Sequence, residues 1–351
     1  MRDVAIVSYA QSRSVRRELG ANEVEMVMPV VREAVERSGI PKKQIGFTVS
    51  GSCDYLAGQP FSFVSALDAI GAWPPISESH VEMDGAWALY EAWVKLQMGE
   101  VDSALVYSFG KSSMGDLPEV LTLQLDPYYL APLWPDAISL AALQARAFLE
   151  RTGRSERDLA AVAARSRRDA KASPRAQLAG DFDVERLLAD PYLVAPLRKH
   201  DCPPISDGAA ALVLAAGDLA RKVCKRPAWI RGIDHRIEPH QLGARDLTTS
   251  VSTAEAGRRA GVGKGAVDLA ELHAPFTHQE LILRDALGFG DGVVVNPSGG
   301  ALAGNPMMVA GLARFGEAAE RVMRGDAGRA VAHATSGPCL QQNMVGVLEG
   351  E

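Results

Sequence analysis

Cysteine is scarce in this chain of 351 residues, and the few cysteines present form no recognisable site. Cys53, Cys202, Cys224 and Cys339 are scattered, and no CxxC or Cys/His metal-binding spacing occurs. Such a pattern favours reduced thiols in a cytosol over a zinc module. We therefore expect a cytoplasmic protein with no metal site.

Long apolar runs and an excess of positive charge are also lacking. No stretch approaches the roughly 20 apolar residues that span a bilayer, and the apolar run in MRDVAIVSYAQS is too short for a signal peptide. The formal net charge of −6 argues against nucleic acid or an anionic membrane as the main partner. A hydrophobic content of 47% and a charged content of 23% are ordinary for a globular enzyme.

Strand and helix patterns alternate over the first 110 residues or so. Strands are predicted at Val4–Tyr9, Ile45–Ser50, His80–Met83 and Ala104–Phe109, with helices at Glu23–Arg37, Phe61–Gly71 and Gly85–Gly99. Strands separated by helices of this length pair in parallel, in a layered α/β fold.

A second series repeats the first in element order, although not in residue identity. The strands predicted after the insertion are Ala209–Ala215, Ile230–Ile237, Val267–Leu272, Arg329–Thr335 and Gln342–Leu348, and the helices are Thr277–Leu287 and Met307–Met323. We divide the chain into residues 1–215 and 216–351. The first part includes an inserted helical region at about 111–200.

Two motifs in the second part predict an active site. Val294–Pro306 reads VVNPSGGALAGNP, a strand end followed by a glycine-rich loop, in which backbone N–H groups can face an oxyanion. Glu271–Glu280 reads ELHAPFTHQE and places His273 between a strand end and a helix start, a common position for catalytic groups in α/β sheets.

These motifs, together with PLRKHDCPPISDGAAALVLA and CLQQNMVGVLE, resemble those of the thiolase superfamily, in its sterol-carrier-protein, lipid-transfer branch. The resemblance covers nearly the whole chain. It implies a thiolase fold, with two similar βαβαβαββ halves in a five-layer αβαβα arrangement. It also implies carbon–carbon bond chemistry on an acyl-CoA, with the coenzyme A thioester as substrate and no separate cofactor.

The chain departs from the family at the expected catalytic positions. The family's nucleophilic cysteine lies at a helix N-terminus, which lowers a thiol pKa. The corresponding segment here is HVEMDGAW, and our alignment puts Gly85 in the cysteine's place. Pro275 replaces a second cysteine and Asn305 replaces a histidine, so only His273 remains.

We expect His273 and Asn305 to be the catalytic residues. The imidazole can polarise a carbonyl or transfer a proton, whereas the Asn305 amide can only donate a hydrogen bond. Asp84 is either a helix N-cap or a catalytic carboxylate, and Cys339 is either a buried thiol or a substitute nucleophile. The residues expected to bind substrate are Phe276, Ser298, Gly299 and Gly300.

Three functions remain open after these substitutions. The chain is an aldolase-type lyase that needs no acyl-enzyme and works with a small OB-fold/zinc-ribbon protein, or a non-catalytic subunit of a complex with another thiolase-like chain. Alternatively, it is an acyltransferase that uses Cys339 or Asp84. The family also implies a dimer, for which we expect Ala104–Phe109 and Trp87–Val94 to supply apolar surface.

Basic residues are frequent in the predicted insertion, within the helices Leu140–Thr152 and Ser155–Ala172. They are Arg146, Arg151, Arg154, Arg157, Arg165, Arg167, Arg168 and Lys171. Two interpretations are open: a solvated helical face, or a site for the phosphates of coenzyme A.

Overall fold

The computed structural model describes residues 2–351. The strands are β1 (Val4–Gln11), β2 (Phe47–Gly51), β3 (Glu78–Val81), β4 (Ser103–Lys111), β5 (Tyr192–Val194), β6 (Leu197–Arg198), β7 (Asp207–Ala216), β8 (Ala228–Ile237), β9 (Leu269–Leu272), β10 (Val294–Val295), β11 (Arg329–Ser336) and β12 (Gln342–Glu349).

The helices alternate with these strands along the chain. They are α1 (Glu23–Ser38), α2 (Asp54–Ala57), α3 (Ser62–Ile70), α4 (Gly85–Met98), α5 (Leu117–Leu123), α6 (Ala137–Thr152), α7 (Glu156–Asp169), α8 (Val184–Leu188), α9 (Gly217–Val223), α10 (Val251–Ala260), α11 (Thr277–Leu287), α12 (Gly300–Ala303) and α13 (Ala310–Arg324).

Ten strands form one sheet in the order β10-β9-β11-β12-β8-β1-β7-β4-β2-β3. The first set of five strands has the order β3-β2-β4-β7-β1 and the second has β10-β9-β11-β12-β8, which is the same arrangement. The matching neighbours also pair in the same sense, parallel in the outer three strands and antiparallel in the inner three. The prediction of two similar α/β halves is therefore confirmed. The division into residues 1–215 and 216–351 remains a proposal.

Helices α4 and α13 lie between the two halves. Their apolar faces share one core with side chains from strands of both halves. The packing is close: a Cβ on Gly316 of α13 would lie 2.0 Å from Cε2 of Tyr9 on β1, so only glycine fits there. This pair of helices is the central layer of the fold.

The outer faces of the sheet are covered by two other groups of helices. On the first half, α1 and α3 cover one core, and on the second half, α6, α10 and α11 cover another. Helix α1 begins in a capping box, in which Asn22 Oδ1 accepts from Glu25 N–H at 2.9 Å and Glu25 Oε2 accepts from Asn22 N–H at 2.8 Å. Within residues 2–351, the two sets of five strands are joined only by the short pairing of β1 with β8, so each set forms a layer of its own and the layer order is αβαβα.

Two predictions about individual segments are wrong. Strand β4 pairs with β2 on one side and β7 on the other, so it offers no free edge for a dimer, and Trp87 at the start of the other segment is buried in the central core. Helix α13 begins at Ala310 rather than Met307, because Met308 adopts a left-handed conformation with φ of 66°. Its carbonyl accepts the N–H of Gly85 at 2.8 Å.

No helix within residues 2–351 combines the length and the apolar character needed to cross a bilayer.

Candidate active site

A cavity of about 210 Å³ lies where loops from both halves and the insertion meet. Its apolar wall comes largely from α5, α6 and the segment around Met307. Polar side chains on the wall are Asp84, Ser112, Gln124, His273, Gln279, Asn305, Thr335 and Ser336. Phe276 and Cys339 also line it. Of the residues predicted to act, His273, Asn305, Asp84, Cys339 and Phe276 are brought together here.

His273 and Asn305 are hydrogen-bonded to each other in the cavity wall. The backbone N–H of Thr335 donates to Nδ1 of His273 at 3.4 Å, so this nitrogen carries no hydrogen. The hydrogen is therefore on Nε2, which donates to Oδ1 of Asn305 at 3.1 Å. The Asn305 Nδ2 group has no acceptor among residues 2–351 and is free to donate to a ligand.

Burial keeps the His273 imidazole neutral. Its pKa is lowered to about 3, chiefly by desolvation and also by His333 and Arg314, while the hydrogen bond to Asn305 opposes the change. A group with so low a pKa is a weak base at neutral pH. The geometry suits His273 to orienting the Asn305 amide.

The backbone of Asn305 is fixed from the first half of the chain. Its N–H donates to Ser206 Oγ at 3.0 Å, and that hydroxyl donates to Gln177 Oε1 at 2.6 Å. Ser206 stands in the SDG motif just before β7, and it also forms a parallel bridge with Pro306. The sequence motif thus positions a site residue about 100 positions away in the chain.

Ser298, Gly299 and Gly300 do not line the cavity. The Ser298 hydroxyl donates to Glu271 Oε2 at 2.7 Å and accepts from Arg314 at 2.6 Å, in a fully buried ion-pair network. A Cβ on Gly299 would lie 2.6 Å from the Cβ of Ala170. The structure places these three residues behind the wall, where they pack the loop rather than face a substrate.

Three consecutive side chains of α7 hold the glycine-rich loop from behind. Arg165 donates to the carbonyl of Val295 and Arg167 to that of Leu302, while Ser166 Oγ donates to the carbonyl of Gly299 at 2.6 Å. The sequence contains no sign of this role, because basic side chains on the helices of the insertion are equally consistent with a solvated face and with a phosphate site.

The remaining basic side chains of the insertion are almost all neutralised by acidic partners. The pairs are Arg146–Glu150, Arg151–Asp246, Arg154–Asp285, Arg157–Glu185, Arg168–Asp169 and Lys171–Asp181. Paired charges on an exposed face match the first of the two interpretations, a solvated helical surface.

Asp84 joins the N-termini of the two central helices. Its Oδ1 accepts N–H groups from Ala86 at 2.8 Å and Leu312 at 2.9 Å, and its Oδ2 accepts from Gly311 at 2.8 Å. The predicted N-cap is therefore present, on two helices rather than one. Burial raises the pKa of this carboxyl, and the three N–H groups oppose the rise. A carboxylate offers about four lone-pair sites, so one site on Oδ2 stays open.

Gly85 is not on the cavity wall. Its N–H donates to the Met308 carbonyl, and a Cβ here would lie 2.7 Å from Ser108 and 2.9 Å from Leu312. The residue at this helix start that faces the cavity is Asp84.

Cys339 is poorly suited to nucleophilic attack. Burial raises the pKa of its thiol to about 11, and Sγ donates to the carbonyl of Leu140 at 3.6 Å. A thiolate is the reactive form of cysteine, so this thiol is largely inert at neutral pH. The structure favours the buried-thiol interpretation.

Within the described part of the chain, no group of three or more His, Cys, Asp or Glu side chains is arranged to hold a metal ion.

No family model matches this chain. It is 29% identical to an acetyl-CoA acetyltransferase of Methanothermobacter thermautotrophicus over 361 aligned positions, which cover 94% of this chain and 93% of the relative. It is 24% identical to sterol carrier protein 2 of Bos taurus over 70% of this chain, a match that spans 52% of that relative.

Among solved structures, the chain superposes on a chain of an Ltp2-ChsH2(DUF35) aldolase with a TM-score of 0.82. The two are 20% identical, and the match covers 99% of this chain and 97% of the other. This likeness shows a shared fold.

Proposed function

We propose that this chain, which has thiolase-superfamily homologues and the thiolase fold, makes or breaks carbon–carbon bonds of acyl-CoA thioesters by aldol chemistry, without an acyl-enzyme. The observation that carries the proposal concerns position 85, where a nucleophile is expected. Gly85 offers none, and the neighbouring Asp84 lines the cavity instead. Asp84 faces the cavity beside that position and accepts three N–H groups, which leaves one lone pair of Oδ2 open, and burial raises the pKa of this carboxyl toward the range of a general base.

Acyl transfer of the usual kind needs an activated nucleophile. The thiol on the wall, Cys339, has a raised pKa. Gly85 has no side chain, and a Cβ at this position would meet Ser108 and Leu312, which do not line the cavity. These two features argue against the acyltransferase interpretation.

Aldol cleavage of a β-hydroxyacyl-CoA needs only a base and an oxyanion donor. The open lone pair of Asp84 Oδ2 accepts the proton of the β-hydroxyl, the bond between the α- and β-carbons breaks, and a carbonyl compound leaves. The electron pair of that bond becomes the enolate of the remaining acyl-CoA. Return of the proton to the α-carbon completes the reaction.

The enolate carries its negative charge on the thioester oxygen. Asn305 Nδ2 is the side-chain donor free to bind that oxygen, since His273 occupies Oδ1. A donor fixed before the reaction costs no reorganisation in the transition state, and such donors are worth about 2.7–4 kcal/mol each. His273 then has a positioning role.

We also propose a small DUF35-type partner of the OB-fold/zinc-ribbon kind. The support is the shared fold with a chain of the Ltp2-ChsH2(DUF35) aldolase, a complex of two kinds of chain by its name. The interpretation as a non-catalytic subunit predicts a different partner, another thiolase-like chain, and no turnover by this chain.

An assay without free coenzyme A tests the proposal. The chain, alone and with a co-encoded DUF35 protein, is incubated with β-hydroxyacyl-CoA esters, and the released aldehyde or ketone is measured. We expect cleavage that does not depend on added coenzyme A, whereas thiolysis would require it. Absence of any carbonyl product with the partner present would leave the non-catalytic subunit as the better assignment.

A further inference from the structure

The turn between β11 and β12 forms part of the cavity wall and has an unusual backbone. Cys339 and Leu340 both have positive φ, of 54° and 59°, and Gly337 has 74°. Left-handed conformations cost about 1–3 kcal/mol at a non-glycine residue and persist only where the surroundings impose them. The contacts that impose them here come from outside the turn.

Arg245 is the main contact. Its Nη2 donates to the carbonyl of Pro338 at 3.0 Å and its Nη1 to that of Cys339 at 3.2 Å. Arg245 does not line the cavity, whereas Pro338 and Cys339 do, so the turn lies between the guanidinium and the cavity.

A second support comes from Gln144, a fully buried residue of α6. Its Nε2 donates to the Cys339 carbonyl at 3.4 Å and to that of Leu247 at 3.0 Å. Its Oε1 accepts from His278 at 3.1 Å and from Gln279 at 3.0 Å. All hydrogen-bonding positions of this amide are used, so its orientation is fixed.

Arg245 differs from several other buried or half-buried arginines in having no acidic partner in the described part of the chain. Arg165, Arg175 and Arg198 each form an ion pair with a glutamate, but Arg245 forms none within residues 2–351. Its Nε also lacks a partner there. Burial lowers the pKa of this guanidinium, with Cys339 and Glu238 opposing the change. The buried charge of Arg245 is therefore compensated by hydrogen bonds to two backbone carbonyls and by no ion pair within residues 2–351.

The trans peptide between Pro338 and Cys339 fixes the direction of the Cys339 N–H once Arg245 binds the Pro338 carbonyl. In a trans peptide, the C=O and the N–H point to opposite sides of the chain. Because the Pro338 carbonyl faces Arg245, the N–H of Cys339 points away from Arg245. That N–H has no acceptor in the part of the chain that the structure describes.

We infer that Arg245 is a positioning residue, which turns the Cys339 N–H into the cavity as a second donor to the thioester oxygen. The inference rests on the proposed function, because the donor matters only if an acyl-CoA oxygen occupies the cavity. It assigns to Cys339 a role through its backbone, while its thiol stays inert.

The test measures the bound thioester carbonyl directly by infrared difference spectroscopy. Hexanoyl-CoA labelled with carbon-13 at the thioester carbonyl serves as a non-cleavable probe, since it lacks a β-hydroxyl. In wild type, we expect the bound carbonyl stretch at lower frequency than in free hexanoyl-CoA. In Arg245→Met, most of this shift should be lost, and in Arg245→Lys, which reaches one carbonyl only, part of it should remain.

Arg226→Met is the matched control. Arg226 also donates to backbone carbonyls, those of Val322 at 2.8 Å and Ala327 at 3.5 Å, but it lies away from the cavity. This variant should show the wild-type carbonyl shift even if it is less stable. On a β-hydroxyacyl-CoA, Arg245→Met should lower kcat by up to about 10²–10³-fold, the effect of losing one oxyanion donor, with KM little changed.

The outcomes separate the two claims. If hexanoyl-CoA does not bind to wild type, the proposed function and this inference are both wrong. If it binds and the carbonyl is unshifted, or is shifted equally in wild type and Arg245→Met, the inference alone is overturned. An equal loss of shift in folded Arg226→Met would also overturn it, because the effect would then be a general loss of packing.

Discussion

Nε2 of His273 lies 3.1 Å from Oδ1 of Asn305, and this bond decides which end of the Asn305 amide faces the cavity. The donor end, Nδ2, is left toward the substrate. Asn305 thus gives the site a hydrogen-bond donor but not a base.

Asn305→Ala should remove this donor. We expect kcat for carbon–carbon cleavage to fall about 10²–10³-fold with KM nearly unchanged, because the bond to the oxygen strengthens only as charge develops. Gln124→Ala is the control, since it removes another amide from the cavity wall at an exposed position. A raised KM with unchanged kcat in Asn305→Ala would instead indicate simple substrate binding.

His273→Ala should reduce the rate less than a lost proton-transfer group would. We expect a loss of at most about 10²-fold, the lower end of the 10²–10⁴-fold that general acid/base groups contribute. The shape of the pH–rate profile provides the second measurement. A loss above 10⁴-fold, with disappearance of one limb of the profile in the variant, would make His273 the acid/base itself.

Asp84→Asn keeps the size of the side chain and removes its basicity. We expect at least a 10²-fold loss of cleavage rate, as for other general bases. Thermal unfolding is measured on the same variant, because asparagine has one oxygen instead of two to accept the three N–H groups that bind Asp84, and we expect this alone to lower stability. A folded Asp84→Asn variant with wild-type turnover would restrict Asp84 to capping the two helices.

Covalent acylation should not occur in wild type or in Gly85→Cys. Incubation with acetyl-CoA followed by intact-mass spectrometry should give no acyl adduct, since Cys339 is protonated and a side chain at position 85 points at Ser108 and Leu312. Overpacking of this kind should also destabilise Gly85→Cys by about 1–3 kcal/mol. A stable adduct on Cys339 would revive the acyltransferase interpretation.

Acid should destabilise the protein through its buried histidines. Burial lowers the pKa of His273 and His278 to about 3 and that of His333 to about 4, against an ordinary value of 6.5. Because the unfolded chain binds these protons first, stability is full above pH 6.5 and is lost as the pH falls toward 4. Each histidine contributes a slope of up to about 1.4 kcal/mol per pH unit.

His278→Gln isolates one of these contributions. Glutamine still donates to Gln144, so the slope of unfolding free energy against pH, measured by urea denaturation between pH 6.5 and 5, should decrease by up to about 1.4 kcal/mol per unit. An unchanged slope would mean that His278 does not stay neutral in the folded state.

Self-association should involve the edge of the sheet at β3 rather than β4. The segment before β3 exposes apolar side chains, including Tyr55, Phe61 and Trp73, the last with 85% of its surface accessible. Light scattering should show a dimer or a larger species, and obligate interfaces of this kind exceed roughly 2,000 Å². Trp73→Asp should weaken self-association, whereas Leu193→Asp on β5 should leave it unchanged. A wild-type monomer at micromolar concentration would contradict the prediction.

The sequence by itself determined the fold. Strand and helix patterns are local properties of a few consecutive side chains, and they placed β1, α1, α4 and α11 to within a few residues. The ordered motifs then identified the thiolase-like arrangement and brought His273 and Asn305 into one site. The absence of a usable nucleophile at residue 85 was likewise readable from the sequence.

Only the tertiary structure decided which groups face the cavity and what each can donate. Asp84 rather than Gly85 is on the wall, because two helix N-termini meet at its carboxylate. The Arg165 side chain donates to the carbonyl of Val295, 130 positions away in the chain, and the Arg245 side chain donates to the carbonyl of Pro338, 93 positions away. Hydrogen bonds over such separations leave no periodic signal in the sequence, since they depend on how distant elements pack and on which backbone groups remain unpaired once they do.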